Sequence, residues 1–244
     1  MMAFAQPAEG VLRMGHPLVN WYLVADDDGV VLVDAGAPRH RPQLEEGLKQ
    51  LGRSMDDVRA LILTHADADH KGFGEKLRTE NGVPVQVHSA DTELCRDGKK
   101  DREGSILPYL RYGAAWKLFW VLGTGGMPKN IAEFETFEDG AVLDVPGRPR
   151  VIHAPGHTHG CVAFHFERHG ALFVGDVLYG FGVLTGKPGA QIGPRAFNAS
   201  SQQALDSLSA VEGADANVML FGHGDPWTEG PAAAVEAARA TGIV

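Results

Sequence analysis

Short apolar runs recur along the chain and alternate with stretches whose apolar positions fall three or four residues apart. Val30-Val31-Leu32-Val33 has the continuous apolar character of a buried strand, closed by Asp34-Ala35-Gly36. From Gln43 to Leu51, the positions Leu44, Leu48 and Leu51 have helical spacing, and Gly52 supplies a stop. Ala60-Leu61-Ile62-Leu63 predicts a second strand, and Val83 to Val87 a third, bounded by Asn81-Gly82. Val151 to Ala154 predicts a strand ending at Pro155-Gly156, and Cys161 to Phe166 pairs with Ala171 to Val174 in a predicted hairpin around Arg168-His169-Gly170. Val218 to Phe221 is the last predicted strand, followed by a helix near Pro231 to Ala240. Strands alternating with helices predict a layered architecture mixing both.

The segment from Asp91 to Lys129 departs from this rhythm and is expected to be a helical, cap-like insertion in an otherwise single domain spanning 1–244. Its mixed-sign stretch, Arg96 to Glu103, is expected to be a solvated loop. Tyr109, Leu110, Tyr112, Trp116, Leu118, Phe119 and Trp120 then give a helix apolar on most sides, which must cover something: either ordinary core or a pocket.

Composition narrows the class. The 244 residues are 44% hydrophobic and 22% charged, ordinary values for a globular chain, with a formal net charge of -9. Such acidity excludes non-specific nucleic-acid binding, which needs a basic face. The two cysteines, Cys95 and Cys161, are expected to be free thiols. No apolar stretch is long enough to span a membrane, and Met1 to Pro7 lacks the pattern of a signal peptide, so the expected location is the cytoplasm.

The chemistry concentrates in Leu63-Thr64-His65-Ala66-Asp67-Ala68-Asp69-His70-Lys71-Gly72. Four metal-capable side chains fall within six residues directly after a buried strand, separated by alanines that let the backbone fold tightly around an ion. Imidazole and carboxylate are donors that zinc, iron and manganese accept. Further candidates follow later strands beside glycines: His157 in Pro155-Gly156-His157-Thr158-His159-Gly160, Asp176 after Gly175, and His223 between Gly222 and Gly224.

These motifs, in this order, resemble those of the metallo-β-lactamase superfamily, with its glyoxalase II-type thioesterases and acyl-homoserine lactonases. The resemblance extends over roughly residues 18–226 and includes the Asp34-Ala35-Gly36 turn. It implies an αββα sandwich of two mixed sheets with helices outside and a metal site at one edge. It also implies two divalent ions, zinc first, with iron or manganese as alternatives. His65, Asp67 and His157 would hold one ion, Asp69, His70 and His223 the other, and Asp176 would bridge them. Asp34 would orient ligands or water, with a turn-capping carboxylate as the alternative. One position departs from the family's usual His-x-His-x-Asp-His: Asp67 stands where a second histidine is usual, giving His-x-Asp-x-Asp-His. Asp67, Asp69, Asp176 and one hydroxide would balance two divalent ions, a less positive site that acidifies water less and favours harder ions.

Two ions bridged by hydroxide suit hydrolysis of a small-molecule ester, thioester or lactone. Asp69 is placed to orient the nucleophile and pass on its proton. Tyr179, three residues after Asp176, has the spacing of the lactonase branch, where the hydroxyl assists at the substrate oxygen; packing accounts for it as well. With the aromatic segment, it points to an apolar acyl part. The alternatives are a β-lactam or phosphoester hydrolase, or an iron-dependent oxidoreductase of the same fold. Gly-x-Ser-x-Gly is absent, which argues against a covalent acyl-enzyme.

Overall fold

Strands whose residues are buried on both faces form the centre of the molecule. The computed structural model describes residues 4–16 and 18–243, apart from the side chains of His16, Phe119 and 121–125. The first sheet runs in sequence order: β1 (Ala5–Ala8), β2 (Val11–His16), β3 (Val19–Asp26), β4 (Gly29–Val33), β5 (Val58–Ile62), β6 (Val85–His88) and β7 (Glu135–Phe137). β1 to β4 pair antiparallel and β4 to β7 parallel, so the sheet is mixed. The second sheet contains β8 (Arg150–His153), β9 (Val162–Phe166) and β10 (Ala171–Gly175). A separate ribbon, β11 (Tyr179–Phe181) with β12 (Pro188–Gln191), precedes β13 (Val218–Phe221), which joins the second sheet parallel to β10 in the order β13-β10-β9-β8.

The helices are α1 (Arg41–Gln50), α2 (Ala68–Lys71), α3 (Gly74–Asn81), α4 (Thr92–Asp97), α5 (Gly113–Gly125), α6 (Ser201–Ser207), α7 (Ser209–Glu212) and α8 (Pro231–Thr241). Three apolar clusters establish the layering. Tyr22, Val31 and Ile62 of the first sheet meet Phe164, Phe173 and Leu220 of the second in the central core. Leu23, Leu32 and Leu61 face outward onto Leu44, Leu48 and Leu77 of α1 and α3. Leu172 and Met219 face Ala204, Val211 and Val235 of α6, α7 and α8. Helices thus cover both outer faces of a two-sheet sandwich, because each sheet has two apolar faces to bury.

Most of the predicted strands fall where expected, with shifts at their ends. The strand expected from Val83 begins at Val85, since Pro84 has no N–H to donate; its carbonyl instead accepts Leu61 N at 2.9 Å. The hairpin forms as expected, with Ala171 opposite Phe166 and Gly170 in the left-handed region at φ 56°. β1 to β3 add to the predicted strands; in β3, Val19 to Val24 is buried on both faces and shows neither alternation nor a purely apolar run. Among the described residues, no helix is long and apolar enough to cross a membrane.

Residues 91–129 contain α4, a 3₁₀ turn at Leu107–Arg111 and α5, with no strand. The apolar residues of this segment divide between two faces. Tyr109, Ala115 and Leu118 are buried against Tyr179, Val183, Leu184 and Ala196. Trp116 and Trp120 are 61% and 66% exposed, so they do not fill the core, and neither lines the cleft beside Tyr179; the side chain of Phe119 lies outside the described residues. Phe164→Ala, between the sheets, should lower stability by about 3–5 kcal/mol. Trp116→Ala should cost less than about 1 kcal/mol in the same urea denaturation series.

Candidate metal centre

The C-terminal ends of parallel strands from both sheets open onto one edge of the sandwich. Asp34 follows β4 and His65 lies just beyond β5, neighbours through the pair Val33–Ile62. Asp176 follows β10 and lies near His223, just beyond β13, through the pair Gly175–Phe221. Val162 N donates to Thr64 O at 2.9 Å and Asn20 N to Gly222 O at 2.7 Å, so the two sheets are laced together at this edge.

The His-Asp run folds as a loop entering the single turn of α2, where His70 N and Lys71 N both donate to Asp67 O. Gly72 then presses on the Asp34-Ala35-Gly36 turn. A Cβ there would sit 1.7 Å from Gly36 O, so only glycine fits. Ala35 N donates to His70 O at 2.6 Å across the same junction. Gly222 is similarly confined, since a Cβ would lie 2.4 Å from Asp176 Oδ1.

Asp34 holds this arrangement from beneath. Its carboxylate is buried and accepts from Thr64 N, Thr64 Oγ1 and His70 Nδ1, each at 2.8 Å. Since Thr64 Oγ1 donates to Asp34, it accepts from His65 Nδ1 at 3.1 Å. The other two rings are fixed in the same sense. His157 Nδ1 lies 3.1 Å from Asn198 Oδ1, whose amide donates to Gly193 O, and His223 Nδ1 donates to Leu18 O. All four histidines therefore turn Nε2 inward, toward Asp67, Asp69 and Asp176.

Three constellations result, each with ligand atoms within 4.8 Å of one another: His65, Asp67 and His157; Asp69, His70 and His223; and His65, His70 and Asp176. The seven residues expected to hold metal are thus together. His65 Nε2, His70 Nε2 and Asp176 Oδ1 are buried without a hydrogen-bond partner. Such atoms are costly to leave unpaired, and a divalent cation supplies what all three lack. Nitrogen and oxygen donors in this number fit zinc, iron or manganese.

The electrostatics agree. Burial, then the His70 charge, holds His65 well below the usual imidazole value. For His70, burial acts downward, but Asp176 and Asp34 outweigh it and raise the pKa well above normal. A metal ion at Nε2 would displace that proton. Burial would raise Asp67; the Lys100 ammonium, with the His157 ring beside it, instead holds it well below the carboxylate range. Tyr179 donates to Asp176 Oδ2 at 2.5 Å and stacks on His223 with ring centres 4.8 Å apart. Burial, then Asp176, pushes its hydroxyl well above the usual phenol value, so it stays protonated as a donor.

A cleft beside the cluster is lined by Asp67, Asp69, Asp176 and Tyr179 on its polar side and Leu118, Val183 and Phe197 on its apolar side. Lys100 and Arg102 correct the expectation of a wholly solvated charged loop. The Lys100 side chain is only 7% exposed and contacts Asp67 and His157, and Arg102 lines the cleft. Asp91, also not anticipated, is buried and accepts from Ala66 N, Thr158 Oγ1 and Gly160 N, joining the loops that carry His65 and His157. An isolated carboxylate or lysine carries no local signal of such contacts. His159 is exposed and pairs with Asp101.

Residues 14–223 match the family model described as the metallo-beta-lactamase superfamily. The probable metallo-hydrolase YflN of Bacillus subtilis is 27% identical over 234 residues, covering 91% of this chain and 87% of that protein. The metallo-beta-lactamase family protein TTHA1429 of Thermus thermophilus superposes with a TM-score of 0.66 at 27% identity, over 96% of this chain and 78% of that one. A metallo-beta-lactamase from Cronobacter sakazakii, an engineered variant of its HARLDQ motif, gives 0.70 at 20% identity, over 99% and 95%, a likeness of fold.

Asp34→Asn keeps a side chain that tolerates the left-handed backbone found there, at φ 63°, but removes the charge that holds His70 and Thr64. Metal affinity measured by chelator competition should fall about 10–100-fold, with the folded circular dichroism spectrum retained.

Proposed function

The chain belongs to the metallo-beta-lactamase superfamily and is a metal-dependent hydrolase, and on that premise we propose that it uses two divalent ions to cleave a small ester, thioester or lactone with an apolar acyl part. The observation that carries this reading is the convergence of four Nε2 atoms and three carboxylates on unpartnered buried atoms. His65, Asp67 and His157 would hold one ion, Asp69, His70 and His223 the other, and Asp176 both.

Two bound divalent ions supply an acidified water and polarise the substrate's carbonyl oxygen. The protein's own groups do the rest. Tyr179 holds Asp176 Oδ2 through its hydroxyl, so on this reading it positions a ligand instead of reaching for the substrate. Asp34 likewise acts at one remove, fixing the tautomers of His70 and, through Thr64, of His65. Asp69 lines the cleft with its side chain 20% exposed, where the carboxylate oxygen not holding the ion would take a proton from the attacking water and deliver it to the leaving oxygen or sulfur. Leu118, Val183 and Phe197 offer the acyl part an apolar wall that excludes water. Zinc suits the four imidazoles; Asp67 adds the hard oxygen that would let iron or manganese compete.

Elemental analysis after saturation should find about two ions per chain, and a chelator should abolish hydrolysis and lower the melting temperature. Asp67→Ala should retain the fold and lose one ion, and Asp67→His should restore it; a protein that binds no metal under any loading would rule this function out. Substrate class is tested with matched esters, thioesters and lactones. On that panel, Leu118→Ala should raise KM for substrates with apolar acyl groups by about tenfold, the loss of one buried side-chain contact, while sparing kcat.

A further inference from the structure

Lys100 enters the centre from the charged stretch before α5, and its position conflicts with one of the metal bonds. Its ammonium contacts Asp67 Oδ2 and lies 3.0 Å from His157 Nε2. His157 has its Nδ1 hydrogen committed to Asn198 Oδ1, which leaves Nε2 a single lone pair. That lone pair can accept a hydrogen from Lys100 or bind a metal ion, but not both. Asp67 Oδ2 is shared in the same way, lying 3.1 Å from His157 Nε2 and 3.8 Å from His65 Nε2. In the other half of the centre, among the described residues, Asp69, His70 and His223 contact one another, His65, Asp34, Asp176, Tyr179 and the Leu18 carbonyl, and none of these partners is a lysine or arginine.

We propose that Lys100 is an internal competitor for the metal position formed by His65, Asp67 and His157, so that the two positions fill in order and the Lys100 position fills last. This inference rests on the two-ion reading above. It also gives Asp67 a physical purpose. A carboxylate can hold the ammonium when the ion is out and bind the ion when it is in, whereas a neutral histidine can form no ion pair with Lys100. The partly buried Asp67 charge is thus compensated in both states, by Lys100 in one and by the ion in the other. Arrival of the second ion must release Lys100 from His157, and the cleft lined by Asp67 and His157 is the space open to it.

The test is zinc titration of the metal-free full-length protein by calorimetry, comparing wild type with Lys100→Met. Wild type should bind one ion tightly and a second at least about tenfold more weakly. Lys100→Met should tighten the second by at least about tenfold, the worth of a charge-assisted hydrogen bond, with the first little changed. A second measurement needs no variant: acylation of Lys100 by an amine-reactive ester, mapped by mass spectrometry, should stay low through the first equivalent of zinc and rise with the second. Two ions bound with unchanged affinities in Lys100→Met, or labelling that does not respond to the second equivalent, overturns the competitor role while leaving the two-ion function standing. Failure of wild type and variant alike to bind zinc removes both.

Discussion

A single buried carboxylate sets the geometry on which this centre depends. Asp34 sits in left-handed backbone immediately after β4, a conformation unfavourable for any residue but glycine and best tolerated by short polar side chains. That conformation aims its two oxygens across to the neighbouring strand end, where they accept three hydrogen bonds. Thr64 passes the constraint on to His65, so one side chain fixes two imidazoles, one in each proposed metal position. Because each histidine donates its Nδ1 hydrogen outward, the inward nitrogens need no rearrangement to act as ligands. The glycines that press α2 against the Asp34 turn, and Gly222 against Asp176, remove the freedom by which this alignment could relax.

The metal centre was legible in the sequence because its largest part is local. Four metal-capable side chains within six residues form a pattern that survives without knowledge of the fold, and glycine-flanked His157, Asp176 and His223 stand at strand ends that hydrophobicity marks. The two-sheet sandwich, by contrast, came from family resemblance; periodicity alone located most strands but not their pairing. β3 carries no such mark because a strand buried on both faces, interrupted by Asn20, follows neither template. Lys100, Asp91 and Asn198 could not be found either. Their partners lie 33, 25 and 41 residues away, and each looks locally like an ordinary polar residue on a loop.

The segment 91–129 illustrates how composition can mislead about orientation. Its aromatic density is real, but the helix turns Leu118 and Ala115 inward and leaves Trp116 and Trp120 on the outside. Charge misled in the opposite sense, since the mixed-sign stretch delivers Lys100 and Arg102 to the cleft. In both cases the average character of the segment was read correctly and its facing was not. Facing depends on contacts with the Tyr179 ribbon, far along the chain.

The division of ligands between the two sheets has a consequence for how the protein comes into being. His65, Asp67, Asp69 and His70 are synthesised early, but each constellation also needs His157, Asp176 or His223. His223 follows the last strand of the second sheet, which must pair with β10 to bring it into place. A nascent chain can therefore display the acidic His-Asp loop long before it can close a coordination shell around an ion. On the proposed two-ion reading, a complete coordination shell would form only after the second sheet has assembled, which makes ion binding a late contribution to the stability of the fold.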